Sequence, residues 1–438
     1  MKKKAMALVL ASLMAAGILA GCGGDSKTTK EDGKKEGGKP YEGVTLTMWM
    51  AGAEYNEGTK AVMEKATEAL GMEFEVEINP GGAEGDNIIK TKCASGDLPD
   101  IVNWNSGSKF KGLNPKEYFL DLSEQKFAEK FDDVFKESVS QDGKLLGAPY
   151  TTTQAGAVVY WKPDYEELGL KVPTTWDEFI KNCDALEAAG KTSMYMSGGD
   201  TWTTQVLFLG DNYNVLAGVE TFAEDFTAGK AKFATTPSAL ASWEKYEDLV
   251  GRYNEDNTAA KYEDGIEAIG TGQATHWIIL TQVIPQMVTN HPENADKIGV
   301  FGVPGDKAED AGLTVWEPNS WYVSKDAQNQ DAALAFLDFW YQEDMMDLFI
   351  ETYGANGPSC IKGYTLPEKV APAIREDMQK YFDDGKTAPA LEYLSDVKGA
   401  TCEQITTSVS LGQIKGTEAA KMYDDDCEKS AVQLGLDW

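Results

Sequence analysis

The chain has 438 residues, a formal net charge of −31, and 11 tryptophans within a 42% hydrophobic composition. That length can bury a large core and divide into two lobes, and the acidity argues against a polyanion such as nucleic acid as a partner. Only two histidines occur, and there is no G-x-S-x-G, G-x-x-x-x-G-K-[ST] or paired C-x-x-C run; a His-rich zinc site is excluded, and a Ser-His-Asp centre would have to use His276 or His291.

Lys2-Lys3-Lys4 form a basic start, followed by an apolar run from Ala5 to Ile18 that is too short, with these flanks, for a spanning helix. Leu19-Ala20-Gly21-Cys22 has the residue order recognised by the lipoprotein signal peptidase. The expectation is a signal peptide over 1–21 and a mature chain beginning at lipidated Cys22, held on the outer face of the cell membrane by its acyl chains. Residues 22–40 lack apolar side chains after the cysteine and read as a flexible tether. Five cysteines remain, an odd number: Cys93 and Cys183 fall at apolar helical positions, and pairing of Cys402 with Cys427 is left open.

In the body, 44–49 reads as a strand, 58–70 as a helix closed by Gly71, and 74–78 as an alternating strand, a β-α-β unit with a right-handed parallel crossover. A helix over 86–94 and a strand at 98–102 follow, with Trp104 and Asn105 directly after it. Asp142-Gly143 is a tight-turn pair, and 157–161 is a fully apolar strand. Thr175 with Glu178 makes a capping box opening a helix with Trp176, Phe179 and Cys183 at helical spacing, and Gly190 ends it. Ser197 to Trp202 is a Gly-rich loop entering a helix, 237–250 is amphipathic, and His276 and His291 read as structural. The run 298–305 reads as a return crossing between lobes, Trp316 to Lys325 as a loop and strand, and 331–353 as one long helix stopped by Gly354.

The residue order is more specific than the elements. Asp142-Gly143-Lys144, Gly147, Pro149-Tyr150, Glu166 to Leu170 and Thr174 to Phe179 follow, with few departures, the D-G-K-hydrophobic-G-P-Y, E-E-L-G-L and T-T-W-D-E-F/L runs of one family, and Pro99-Asp100, the Ser324-Lys325 step and Gly416 to Ala420 match others. The chain resembles the family 1 extracellular solute-binding proteins, the maltose-binding-protein-like carbohydrate-binding lipoproteins of ABC importers. It departs from the family at 262–277, where the usual Ala-Met pair is replaced. The resemblance implies an α/β, two-lobed periplasmic-binding-protein-like fold of type II, each lobe a mainly parallel sheet flanked by helices, with the ligand cleft between them. It puts lobe 1 at 41–150 plus 301–340 and lobe 2 at 151–300 plus 341–438. It implies a monomer that captures a sugar or oligosaccharide and docks on ABC permease subunits, with no catalysis, cofactor or metal.

In such folds ligands bind beyond the carboxyl ends of the strands. The candidates by that rule are Trp49, Trp104, Asn105, Tyr150, Asp200, Trp202, Trp277, Trp316, Glu317, Asn319, Tyr353 and Asn356. Rings can stack on the C–H face of a pyranose, and carboxylates and amides pair with its hydroxyls. Trp176, Trp243 and Trp340, on amphipathic faces, and Trp161, in a strand, read as core instead. An anchored polysaccharide-active enzyme using two carboxylates, and a binder of a non-sugar ligand such as a peptide or polyamine, stay open.

Overall fold

The computed structural model describes residues 38–308 and 311–438; the signal segment 1–21, Cys22 and the tether as far as 37 lie outside the described residues. The first sheet orders its strands Glu73–Asn79, Thr45–Ala51, Ile101–Trp104, Ser320–Val323 and Ala148–Pro149. The helix Glu57–Leu70 makes the parallel crossover between the first two strands in the chain. Its start and stop are local: the Asn56 side chain accepts from the Thr59 N–H, and Gly71 takes a left-handed φ of 86° that Gly reaches without a Cβ clash. Glu73–Asn79 is the sheet edge, with Glu73, Glu75 and Glu77 on its exposed positions, which discourages pairing with another chain.

The second sheet orders Thr387–Pro389, Leu313–Trp316, Gln154–Trp161, His276–Leu280 and Met194–Tyr195, and Ile298–Gly302 pairs with the far half of Gln154–Trp161. Gln154–Trp161 is the central strand. After its first residue every position is buried, which is why it reads as an unbroken apolar run rather than an alternating one. The helices Trp176–Ala188, Pro237–Leu249 and Gly416–Gln433 belong to this half, and the predicted Thr175–Glu178 capping box is present. Its core is aromatic: Phe208 lies 4.4 Å from Trp243 and 5.0 Å from Tyr423, ring centre to ring centre. Trp176, Trp243, Trp340 and Trp161 are all buried.

Both sheets are mixed rather than mainly parallel. Ser320–Val323 runs antiparallel to its neighbours, as Gln154–Trp161 does to His276–Leu280, Ile298–Gly302 and Leu313–Trp316. The reason is geometric: a strand entering a lobe from the cleft must run away from it, opposite to strands whose carboxyl ends face it.

The return to the first sheet also differs from the expected position. Ile298–Gly302 and Leu313–Trp316 both pair with Gln154–Trp161, so the return falls at Glu317 to Asn319, between Trp316 and Ser320, and not at 300–305. The expected long helix is two, Gln330–Trp340 and Glu343–Tyr353. It breaks where the Tyr341 hydroxyl reaches back to the Pro149 carbonyl at 2.7 Å and the Gln342 carbonyl starts the next helix by accepting from Met345 and Met346. Glu343–Tyr353 packs against Glu57–Leu70, with Phe349 and Tyr353 seated over Gly58, so it belongs to the first half and not to the second. The chain then passes over once more, since the helical turn Ala373–Met378 packs on Ile298–Gly302. Cys93, Cys183, Cys360, Cys402 and Cys427 are buried free thiols, so Cys402 and Cys427 do not pair. Among the described residues no helix is long and apolar enough to cross a membrane.

Candidate functional site

Carboxyl ends of strands from both sheets meet where the chain crosses between halves. On the first side the loop after Thr45–Ala51 carries Glu54, the loop after Ile101–Trp104 carries Asn105, and Asn319 precedes Ser320–Val323. These three form a relay. Asn105 Nδ2 donates to Asn319 Oδ1 at 3.3 Å, and Asn319 Nδ2 donates to Glu54 Oε1 at 2.9 Å. The other oxygen, Glu54 Oε2, is buried and has no protein partner. Burial pushes the Glu54 carboxyl up, against the opposing bonds from its own loop and from Asn319.

Tyr150 supports this wall from beneath. Its ring is 3% exposed, and its hydroxyl donates to the Glu54 carbonyl at 2.7 Å while Asn56 Nδ2 and Thr59 Oγ1 each lie 2.8 Å away. Its polar end is therefore spent on the Glu54 loop rather than offered to a ligand. The Asn356 backbone is held in a similar way, its N–H donating to Thr152 Oγ1 and its carbonyl accepting from Thr281 Oγ1.

On the second side the Trp202 and Tyr262 rings lie 5.4 Å apart, both half-buried, and Gln282 Nε2 reaches the Tyr262 hydroxyl at 3.4 Å. Tyr353 closes the space between the sides. Its ring is 42% exposed, while its hydroxyl end is enclosed, where burial and then the Glu54 carboxyl push the phenol up. Trp104 Nε1 and Ser320 Oγ, on paired strand positions, and Thr151 Oγ1 and Gln154 Oε1, in the crossing after Tyr150, are also buried without a protein partner. Native proteins rarely leave such groups bare.

Several expected site residues are committed elsewhere. Trp49 is wholly buried, its ring 5.5 Å from Trp104 and tilted 35° to it, because Thr45–Ala51 continues past it and leaves it within the sheet. Trp277 is 2% exposed and packs over Gly265, being the second residue of His276–Leu280 rather than the residue after it. Asp200 receives the Tyr262 N–H at 2.8 Å and Lys261 Nζ at 3.3 Å, an N-terminal cap for the helix Tyr262–Gly270. Glu317 is 5% exposed and turns its carboxyl to Cys360 Sγ at 3.8 Å; burial, reinforced by the charge of Asp132, pushes it up to about 8. His276 is structural: Tyr165 and the Ser193 carbonyl hold its two nitrogens, and burial pushes it down to about 3. Glu54, Tyr262 and Gln282 were missed by the sequence reading, although each stands just past a strand end or at a helix start.

What the arrangement can do is hold a neutral, hydroxyl-bearing molecule. It offers one free carboxylate oxygen, amides and hydroxyls on one side and ring faces on the other; among the described residues no group of three or more His, Cys, Asp or Glu side chains is arranged to hold a metal.

The family model of the bacterial extracellular solute-binding proteins matches residues 61–379. The chain is 24% identical over 292 residues to the multiple sugar-binding protein of Streptococcus mutans, a match covering 64% of this chain and 67% of that one. It is 25% identical over 452 residues to the diacetylchitobiose-binding protein DasA of Streptomyces coelicolor, covering 99% and 100%. The ligand-free structure of RafE from Streptococcus pneumoniae superposes with a TM-score of 0.73 at 20% identity, over 90% of this chain and 99% of that one. With that match and the two-sheet architecture, this chain belongs to the bacterial extracellular solute-binding protein family.

Proposed function

We propose that this protein binds a sugar or short oligosaccharide in the space between its two sheets and delivers it to the permease subunits of an ABC importer, while a lipid on Cys22 keeps it at the outer face of the membrane. The observation that carries the reading is Glu54 Oε2, buried and unpartnered at the end of the Asn105–Asn319–Glu54 relay, with the half-buried Trp202 and Tyr262 rings 5.4 Å apart on the second side. Sugar hydroxyls can donate to the carboxylate and accept from the indole, and ring faces stack on the pyranose at about 0.5–1.5 kcal/mol each. A micromolar complex needs about −8 kcal/mol in total, within reach of two platforms and a few charge-assisted bonds. The sugar-binding relatives in Streptococcus mutans and Streptomyces coelicolor support the same ligand class.

The reading is binding without catalysis. Hydrolysis by two carboxylates needs both free to act, whereas Glu392 is engaged with Trp316 and Lys398, Asp200 with Lys261, and Glu317 is turned to Cys360. A polyamine would call for more than the one bare carboxylate oxygen of Glu54. Titration calorimetry against a panel of mono- and oligosaccharides, with tryptophan fluorescence as a second readout, tests the ligand. Heat from at least one saccharide supports it, and none from any would refute it. Cys22→Ala should release the protein from the membrane fraction, and co-purification should recover the permease.

A further inference from the structure

We propose that the second half carries a binding site of its own, apart from the space between the sheets, for a small uncharged molecule bearing hydroxyl groups. A cavity of about 320 Å³ lies where the helices Asn212–Gly218 and Pro237–Leu249 meet the segment that follows Ile298–Gly302. That volume falls at the lower end of the ~300–1,000 Å³ of small-molecule sites. Asp211, Asn214 and Lys245 line it, with Asp211 1% exposed and Lys245 4%. Lys245 Nζ donates to Asp211 Oδ1 at 2.5 Å and to the Pro304 carbonyl at 2.8 Å. Asn214 Nδ2 donates to the same Asp211 oxygen at 2.6 Å and to the Val303 carbonyl at 2.8 Å, and these two acceptors fix which way the amide faces. Asp211 Oδ2 and Asn214 Oδ1 are left buried with no protein partner, a state that native proteins rarely tolerate.

Both unpartnered oxygens can only accept, so the occupant must donate hydrogen bonds. An anion finds no uncommitted cation in the floor: Lys245 is engaged with Asp211, with Pro304 and with the Trp176 ring, whose centre lies 5.2 Å from Nζ. A cation gains little, because Lys245 already balances the Asp211 charge and the exposed Asp306 and Lys307 at the rim offset each other. Burial pushes the Asp211 carboxyl up, against the attraction of Lys245, so a hydroxyl donating to Oδ2 stabilises the charged form without adding charge. Val219, Pro237 and Ala241 complete the wall and offer an apolar face to a carbon skeleton. A hydroxyl-bearing chain or ring of monosaccharide size or smaller matches both parts of the site. None of the lining residues belongs to the Glu54 and Trp202 site, and the inference stands whether or not that site takes a saccharide.

The test follows the Asn214 side-chain amide and the Gly305 and Asp306 backbone amides by NMR while the full chain is titrated with glycerol or erythritol. These resonances should shift saturably, with half-saturation in the millimolar range that one charge-assisted and one neutral hydrogen bond allow. Ala241→Leu lengthens an apolar wall residue and alters none of the polar groups; it should raise the half-saturation concentration about tenfold or more at an unchanged melting temperature. Gly305→Ala, whose Cβ would come within 2.5 Å of Asn214 Oδ1, covers that oxygen and should do the same. Absent or non-saturating shifts, or saturation unchanged in either folded variant, would overturn the site. Saturation by Ca²⁺ or methylammonium in place of the polyols would overturn the uncharged class. The Trp202 indole N–H reports the space between the sheets in the same spectra: a polyol that moves Trp202 and leaves Asn214 unmoved sits there and overturns this site alone.

Discussion

Glu317 lies in the return crossing and is the most strongly perturbed carboxyl near the interface of the two halves, so its replacement gives the sharpest prediction. Burial first, then the Asp132 charge, lift it from 4.5 to about 8, with Cys360 offering a weak opposing bond. A folded-state value above the unfolded one means that the native chain holds the proton more tightly. The associated stability is fully present below pH 4.5 and is lost as pH rises through 8. At 1.36 kcal/mol per unit the full window corresponds to about 5 kcal/mol, and relaxation around the charged form reduces what is measured to roughly half that. Glu317→Gln has the same shape and no titration. It should match wild type within about 1 kcal/mol at pH 4.5 and become more stable by about 2 kcal/mol or more at pH 8. Urea unfolding of both proteins at pH 4.5, 6 and 8 measures this difference directly, since other titrating groups cancel. A difference that stays flat across the window, or that favours the glutamate as pH rises, would refute the reasoning.

Four further outcomes follow from the same contacts. Tyr150→Phe removes the hydroxyl that donates to the Glu54 carbonyl and meets Asn56 and Thr59, while Thr59 Oγ1 still donates to that carbonyl at 2.6 Å and Asn56 Nδ2 to the Ala53 carbonyl at 3.2 Å; it should cost about 0.5–1.5 kcal/mol in urea unfolding while weakening saccharide binding through the loosened Glu54 loop. Gly265→Ala would push a Cβ to 2.5 Å from the Trp277 ring, and overpacking of this kind costs about 1–3 kcal/mol, read as a lowered melting temperature. His276, held at about 3 by burial, should keep a neutral-ring NMR signal down to pH 5; because its folded value lies below the unfolded 6.5, its share of stability is present above pH 6.5 and lost as pH falls toward 3. Trp202→Ala removes one face of the 5.4 Å ring pair, and loss of a stacking platform should weaken saccharide affinity by about 2- to 13-fold in calorimetry.

Much of the local structure was legible because its causes are local. Thr175 and Glu178 cap a helix through their own side chains, and Gly71 and Gly169 stop helices by taking positive φ. The apolar run 157–161 identified the core of the strand Gln154–Trp161, buried on both faces. What could not be read depends on partners distant in sequence. Leu313–Trp316 belongs to the second sheet only because Gln154 to Gly156 lie beside it. The helix over 331–353 divides at Tyr341 and Gln342, where Tyr341 reaches Pro149 and the Gln342 backbone turns extended at ψ 139°.

One error at the candidate site bears on how such clefts should be read. The rule that ligands gather past strand ends is sound, but it is sensitive to where the strand stops. Ending the first strand at Trp49 rather than Ala51 promoted a tryptophan that lies within the sheet and overlooked Glu54, which stands in the loop beyond. Trp277 lies within the strand His276–Leu280, and Gln282 stands beyond its end. Asn105 and Asn319 stand in the loops themselves, directly after Trp104 and directly before Ser320, and their amides meet at 3.3 Å. An aromatic near a strand end is therefore weak evidence for a ligand unless the end itself is fixed by a turn, and a polar residue in the loop beyond it is the stronger sign.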